Sequence, residues 1–268
     1  MSLLSRRAFF LGASLTGLGF SLASCVTDSA SIKPVVVASA DPTSLPVQQM
    51  DGRPADEIRQ PVQPLTPDGQ YDYKAIYGQM TDGQFVVPAV DIKRIGEPFL
   101  RAEVDYSTDQ EAGTIVVDPK AHYLYYILGG GRAMRYGVGV GKQGFGWSGS
   151  AEIHFKRVWP DWYPPKEMIA RRPDLRPTLT TLQSGVGMRG GPRNPITGRA
   201  MYLWQGNKDT LFRIHGTVEP WTIGKSVSSG CIRMINQDVM DLYSTVDVGA
   251  KVIVNGPGMA LAAALPTG

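Results

Sequence analysis

Cysteine is scarce in this chain of 268 residues. There are two, Cys25 and Cys231, beside three histidines. Two cysteines so placed exclude a disulfide framework, and the irregular spacing of these residues argues against a zinc site. An excess of either charge is lacking too. The formal charge is +3, and residues 1–24 carry two arginines and no acids, so the remainder stands at +1. That balance argues against nucleic acid as a partner and against a strong electrostatic grip on a membrane. Past residue 24 no apolar run is long enough to span a bilayer. What the chain has instead is turns: Gly 31 and Pro 20.

Residues 1–25 read as a targeting segment. Arg6-Arg7 form a basic start, and Ala8 to Ala23 is a run of apolar and small residues too short for a comfortable span. Ser5-Arg6-Arg7-Ala8-Phe9-Phe10 resembles a twin-arginine export signal. Leu22-Ala23-Ser24-Cys25 resembles the lipobox of bacterial lipoproteins, in which the cysteine carries the lipid. A simple cleaved signal with an incidental Cys25 is the plainer alternative. The expectation is an exported, periplasmic protein anchored to a membrane through Cys25.

Residues 26–70 are rich in Pro, Ser, Ala, Gln and Asp and read as a disordered tether. Its ~45 flexible residues would have an r.m.s. span of roughly 35–40 Å. Residues 71–112 read as a segment that wraps the core, with a short helix near Tyr73 to Met80. From 113 to 256 the pattern is β. Thr114 to Asp118, His122 to Leu128 and Arg132 to Val140 form consecutive runs broken by Pro119 and Gly129-Gly130-Gly131, as antiparallel hairpins require. Ala151 to Trp159, Leu211 to His215 and Lys251 to Val254 add strands. One helix is expected from Asn236, as its cap, to Val246, with Val239, Leu242, Tyr243 and Val246 as its apolar stripe. Residues 257–268 are a tail. Many short strands and one main helix predict a mostly-β sandwich or barrel.

Once Cys25 is assigned to the targeting segment, Cys231 has no partner. A thiol kept free in an oxidising compartment points to chemistry. His215 lies sixteen positions upstream and offers the base that a cysteine nucleophile needs. Gly230 lets the backbone turn sharply before the sulfur, so the N–H groups of Gly230 and Cys231 could face a developing oxyanion. A buried, inert cysteine and a backbone-bonded histidine are the alternatives. His122 and His154 read as ordinary sheet residues. Ser184 to Gly198, rich in Gly and Pro around Arg189, Arg193 and Asn194, reads as a long mobile loop. Trp159-Pro160-Asp161-Trp162-Tyr163-Pro164-Pro165 either walls a cleft or is plain packing. Trp221, between His215 and Cys231, is the better candidate for lining the site.

His215-Gly216-Thr217, then Pro220-Trp221-Thr222-Ile223-Gly224, then Ser228-Ser229-Gly230-Cys231-Ile232-Arg233-Met234, resembles the signature of the L,D-transpeptidase catalytic domain family. The resemblance covers about residues 113–255. It implies a β-rich domain whose cysteine attacks peptidoglycan stem peptides at the carbonyl of the third residue, usually diaminopimelate, and expels the terminal D-alanine. The acyl group then passes to an amine on another stem, a D-amino acid or an anchored protein. By position, Cys231 is the nucleophile, His215 the base, and the Gly216 carbonyl the group that orients the imidazole. Arg233 suits a substrate carboxylate, with a structural ion pair as its alternative. Many members carry a histidine where this chain has Ser229, which leaves His215 as the only nearby imidazole. No cofactor or metal is implied. The competing readings are a carboxypeptidase or another cell-wall cysteine peptidase, and a non-catalytic wall-binding lipoprotein.

Overall fold

The computed structural model describes residues 63–142, 147–228 and 230–256. The targeting segment with Cys25, the tether up to residue 62, Ser229 and the tail lie outside the described residues. In chain order the elements are α1 (Tyr73–Ile76), β1 (Met80–Asp82), β2 (Phe85–Val87), β3 (Ala102–Asp105), β4 (Ile115–Asp118), β5 (Tyr123–Gly129), β6 (Arg132–Gly141) and β7 (Gly149–Val158). There follow α2 (Lys166–Arg171), β8 (Thr180–Leu182), β9 (Gly185–Gly187), β10 (Thr197–Gln205), β11 (Lys208–Gly216), β12 (Ser226–Ser228), β13 (Ile232–Met234), α3 (Asn236–Thr245) and β14 (Lys251–Val254).

The main sheet runs β12-β6-β13-β11-β10-β7-β14-β4-β5, and β5 pairs with β6 as well. That last pairing closes eight strands into a barrel-like ring, with β6 as the seam. The mostly-β sandwich or barrel expected from the sequence is what the chain forms. β4, β5 and β6 make the expected antiparallel run. Three pairings are parallel: β11 with β13, β12 with β6 and β14 with β4. A parallel pair needs a crossover connection rather than a hairpin. Here the connection between β11 and β13 is the stretch from Thr217 to Cys231.

The core is built from the inward residues of these strands. Ile115, Leu124, Tyr136, Ile153, Leu203, Ile214 and Val252 are fully shielded from water. α3 packs over β10 and β11 through Val239, Leu242 and Val246. Its first residue is Asn236, and the capping position is Ile235, which makes no side-chain cap. The expected cap is therefore corrected. Asn236 is drawn inward instead, where a Cβ placed on Gly216 would collide with its Oδ1.

A second cluster joins Ile76, Tyr77, Ile95 and Leu100 to Ile223 and Ile235. It sits next to a buried polar group. Arg101 lies 3.2 Å from the Asp241 carboxylate and 3.8 Å from Asp238, both on α3. The Tyr77 hydroxyl donates to Asp238 at 3.2 Å and that of Tyr136 to Asp241 at 2.6 Å. Residues 71–112 thus grip the helix that follows the cysteine.

Two further expectations change. His122 is not a strand residue: it sits in the turn before β5 at φ 61, with Nε2 3.0 Å from Ser226 Oγ. The loop from Ser184 to Gly198 is tied down. Trp162 and Met188 exchange two backbone hydrogen bonds, and the buried Asn194 amide lies 3.0–3.2 Å from the carbonyls of Pro160, Met188 and Arg189. Two of its glycines, Gly187 and Gly190, serve close packing. A Cβ on Gly190 would overlap the Trp159 carbonyl.

Candidate active site

β11 and β13 place the site. Ile214 is opposite Ile232, and His215 is opposite Arg233. Side chains alternate across a strand. Ile214 and Ile232 are core residues, so Arg213, His215, Cys231 and Arg233 share the other face. Cys231 immediately precedes β13 and falls beside Arg213, with His215 diagonal to it. The thiol is half-buried.

The histidine is poised by its own strand end. His215 is buried, and its Nδ1 lies 2.7 Å from the Gly216 carbonyl. A carbonyl only accepts, so Nδ1 carries the proton and Nε2 keeps its lone pair. Burial pushes the imidazole down to about 4, and the nearby Arg233 and Arg213 guanidiniums push the same way against the Gly216 bond. His215 is therefore neutral at physiological pH. Gly216 fits because nothing larger would. A Cβ there would overlap both Asn236 Oδ1 and the Thr197 carbonyl.

Burial pushes the Cys231 thiol up, while the Arg213 N–H and the two guanidiniums pull it down. The resting pair is thus a neutral thiol and a neutral imidazole. Sγ lies 4.0 Å from the Leu211 carbonyl. Leu211 itself sits at φ 63 in an irregular stretch of β11, where the register with β10 slips between Tyr202 and Trp204.

The turn before the sulfur is braced by Ser228. Its Oγ donates to the Cys231 carbonyl at 2.7 Å and accepts from the Gly230 N–H at 3.1 Å. Gly230 has φ 129, a region that only glycine enters freely. The Gly230 N–H is therefore engaged by Ser228 in this structure. Arg233 donates to Glu219 at 2.8 Å, so the ion-pair alternative holds here. Trp221 is 41% exposed on a short 3-10 turn, with the Arg94 guanidinium 5.4 Å above its ring. Among the described residues no group of three or more His, Cys, Asp or Glu is placed to hold a metal ion.

Arg213, Glu219 and Leu211 were missed as site residues by sequence reasoning, and Ser228 entered only as part of the signature, without its bracing role. Arg213 alone had a usable signal, since it lies two residues before His215 on an alternating strand. Its guanidinium is clamped by Asp209 at 2.7 Å through both terminal nitrogens and lies 4.3 Å from the Tyr202 ring centre.

Comparison with known proteins agrees with this arrangement. A family model described as the L,D-transpeptidase catalytic domain matches residues 112–254. A probable L,D-transpeptidase of Escherichia coli (strain K12), YbiS, is 29% identical over 144 residues, 52% of this chain and 43% of its own. A probable L,D-transpeptidase of Salmonella typhimurium, ErfK/SrfK, is 31% identical over 149 residues, 53% of this chain and 44% of its own. The chain thus spans less than half the length of these relatives. A crystal structure from Brucella melitensis, described for that protein as a probable carnitine operon oxidoreductase, is 50% identical, covers 62% of this chain and 99% of its own, and has a TM-score of 0.41. With its cysteine, its histidine and its strand order inside the matched residues, the chain belongs to the L,D-transpeptidase catalytic domain family.

Proposed function

We propose that the protein is a peptidoglycan L,D-transpeptidase. The observation that carries this is the shared face of β11 and β13, on which a neutral His215, held through Nδ1 by Gly216, lies diagonal to Cys231. As the stem's third-residue carbonyl approaches, His215 Nε2 takes the thiol proton and Sγ bonds to the carbonyl carbon. The Cys231 N–H stabilises the oxyanion. Collapse breaks the bond to D-alanine, whose amine leaves with the proton from Nε2, and a thioester remains on Cys231. An acceptor amine then gives a proton to Nε2 and attacks the thioester. The new amide leaves, and the proton returns to sulfur. The acceptor is a second stem, a D-amino acid or an anchored protein; water instead would make the enzyme a carboxypeptidase. Neutral groups suit this sequence, because charge is created only as substrate excludes water.

The N-terminal motifs support export and a lipid on Cys25, with the domain held in the periplasm by residues 26–70. Intact mass after incubation with a disaccharide-tetrapeptide tests the chemistry. The expected result is an adduct on Cys231 equal to the stem minus D-alanine, and none on Cys231→Ala. An alkylatable thiol that gains no adduct overturns the proposal.

A further inference from the structure

Away from the thiol, an open cavity of about 670 Å³ lies between the β1–β2 hairpin, the end of β7 and the tied-down loop. The rings of Phe85 and Trp159 line it with centres 4.6 Å apart, and Gln84, Asp161 and Arg189 add polar groups. Resting on the transpeptidase reading, we infer that this cavity is a saccharide subsite that takes the glycan portion of the donor.

Four observations converge on it. The first is chemistry: aromatic rings with a few polar groups around them suit a ligand that is apolar on one face and hydroxylated at its edge, as a pyranose is.

The second is rigidity. The Trp159 indole donates to Asp82 at 2.7 Å, and Asp82 is held in turn by Arg199. Asp161 accepts the Gly190 N–H at 2.7 Å, next to Arg189, whose own carbonyl is within reach of the Asn194 amide. Trp159, Asp82 and Asp161 are therefore held before any ligand arrives, and an ordered site loses less entropy on binding.

The third is strain. Trp159 sits at φ 46, a left-handed conformation in which a bulky residue is an outlier. The fold tolerates this cost at the one tryptophan that forms the cavity wall, and such outliers cluster at functional sites.

The fourth is distance. Trp159 directly follows β7, and its N–H donates to Gly198 at 2.9 Å. The order β13-β11-β10-β7 puts three strand spacings between Cys231 and Trp159 across the sheet, about 14 Å at the usual 4.7–4.9 Å each, and the register, with Arg213 opposite Tyr202 and Tyr202 opposite Phe155, sets Trp159 four residues further along, about 13 Å. A stem acylated through its third residue reaches its sugar across three residues and a lactyl linker. At 3.3–3.6 Å per unit that is about 14 Å, so it is the sugars beyond the linker that extend toward Trp159. Trp159 lines a second, smaller cavity as well, together with Thr217, two residues past His215. The tryptophan therefore links the open cavity to the histidine's strand end.

The test is calorimetric titration of the full chain with a peptide-free GlcNAc–MurNAc tetrasaccharide. Binding is expected, with a loss of about tenfold or more in Trp159→Leu, the equivalent of 1.4 kcal/mol. A smaller loss is expected in Arg189→Ala, an exposed position whose change leaves the packing intact. The ratio of acylation kcat/KM for a disaccharide-tetrapeptide over a sugar-free tetrapeptide is expected to fall toward one in both variants. Absence of tetrasaccharide binding by the unmodified chain, or undiminished binding by both variants, overturns the inference. If neither donor acylates Cys231, the transpeptidase reading fails while the titration still decides the saccharide site.

Discussion

Two sets of ionisable groups, the Cys231–His215 pair and the cluster around Arg101, are handled in opposite ways. On one side, Cys231 and His215 are both neutral at rest and carry no opposite charge of their own. On the other, Arg101, Asp238 and Asp241 are locked together under two tyrosine hydroxyls. The first arrangement leaves a lone pair and a proton available. The second uses charge to fix residues 71–112 against α3, the helix that immediately follows β13. Burial alone therefore does not mark a reactive centre; what the neighbours leave unengaged does.

The comparison breaks most sharply at the sulfur. Cys231→Ala is expected to abolish the acyl adduct in intact-mass measurements while leaving the thermal midpoint close to that of the parent. A variant that still accumulates adduct would remove the nucleophile from the proposal.

His215→Asn comes next. Loss of a positioned base is expected to slow acylation by about 10²–10⁴-fold. In the parent, kcat/KM is expected to fall off only as pH drops toward 4, where His215 gains its proton. An acid limb near 6.5 would show a solvated imidazole instead.

Gly216→Ala strikes the support rather than the base. The added Cβ must displace both Asn236 and the Thr197 backbone, and such overpacking costs about 1–3 kcal/mol. Chemical denaturation should read that loss, and acylation should fall with it because the Gly216 carbonyl holds Nδ1.

Stability against pH sharpens the contrast, since the two centres have opposite slopes. His215 is depressed below its unfolded value, so its contribution is present at neutral pH and is lost as pH falls through about 4. Asp238 is raised to about 7, chiefly by burial. Its contribution is present below the unfolded carboxylate range and is lost as pH rises through about 7. Thermal melts from pH 4 to 8 should show Asp238→Asn gaining on the parent as pH rises, with each kcal/mol worth about 2–4 °C. A constant difference across that range would contradict the assignment.

The smallest effect is expected at Arg233. Its pair with Glu219 is partly exposed, and such pairs contribute about 0–1 kcal/mol. Arg233→Gln should leave the melt within a few degrees. A much larger drop would make the pair structural in its own right.

The residues proposed to react were legible because their chemistry is local. A lone cysteine after glycine, and a histidine followed by glycine at the end of an alternating strand, announce themselves whatever surrounds them. The central strand β10 was not legible, although Ala200 to Trp204 is an apolar run between Gly198 and Gly206. The Gly-Pro-rich stretch before it masked its start. The loop around Arg189 read as mobile because glycine was taken for freedom. In the fold Gly187 and Gly190 let backbone pass against backbone, and Asn194 finds three carbonyls that no spacing rule could supply.

The sequence by itself determined the strand-rich pattern, the proposed nucleophile and base, and the glycines that their turns require. Those follow from side-chain periodicity and backbone freedom, which act over a few residues. Only the tertiary structure decided that Arg213 stands beside Cys231, that Arg233 meets Glu219, that Ser228 occupies the Gly230 N–H, and that Trp159 lies three strands from the sulfur. Each depends on which strands become neighbours, and sheet order is set by packing among residues far apart in the chain.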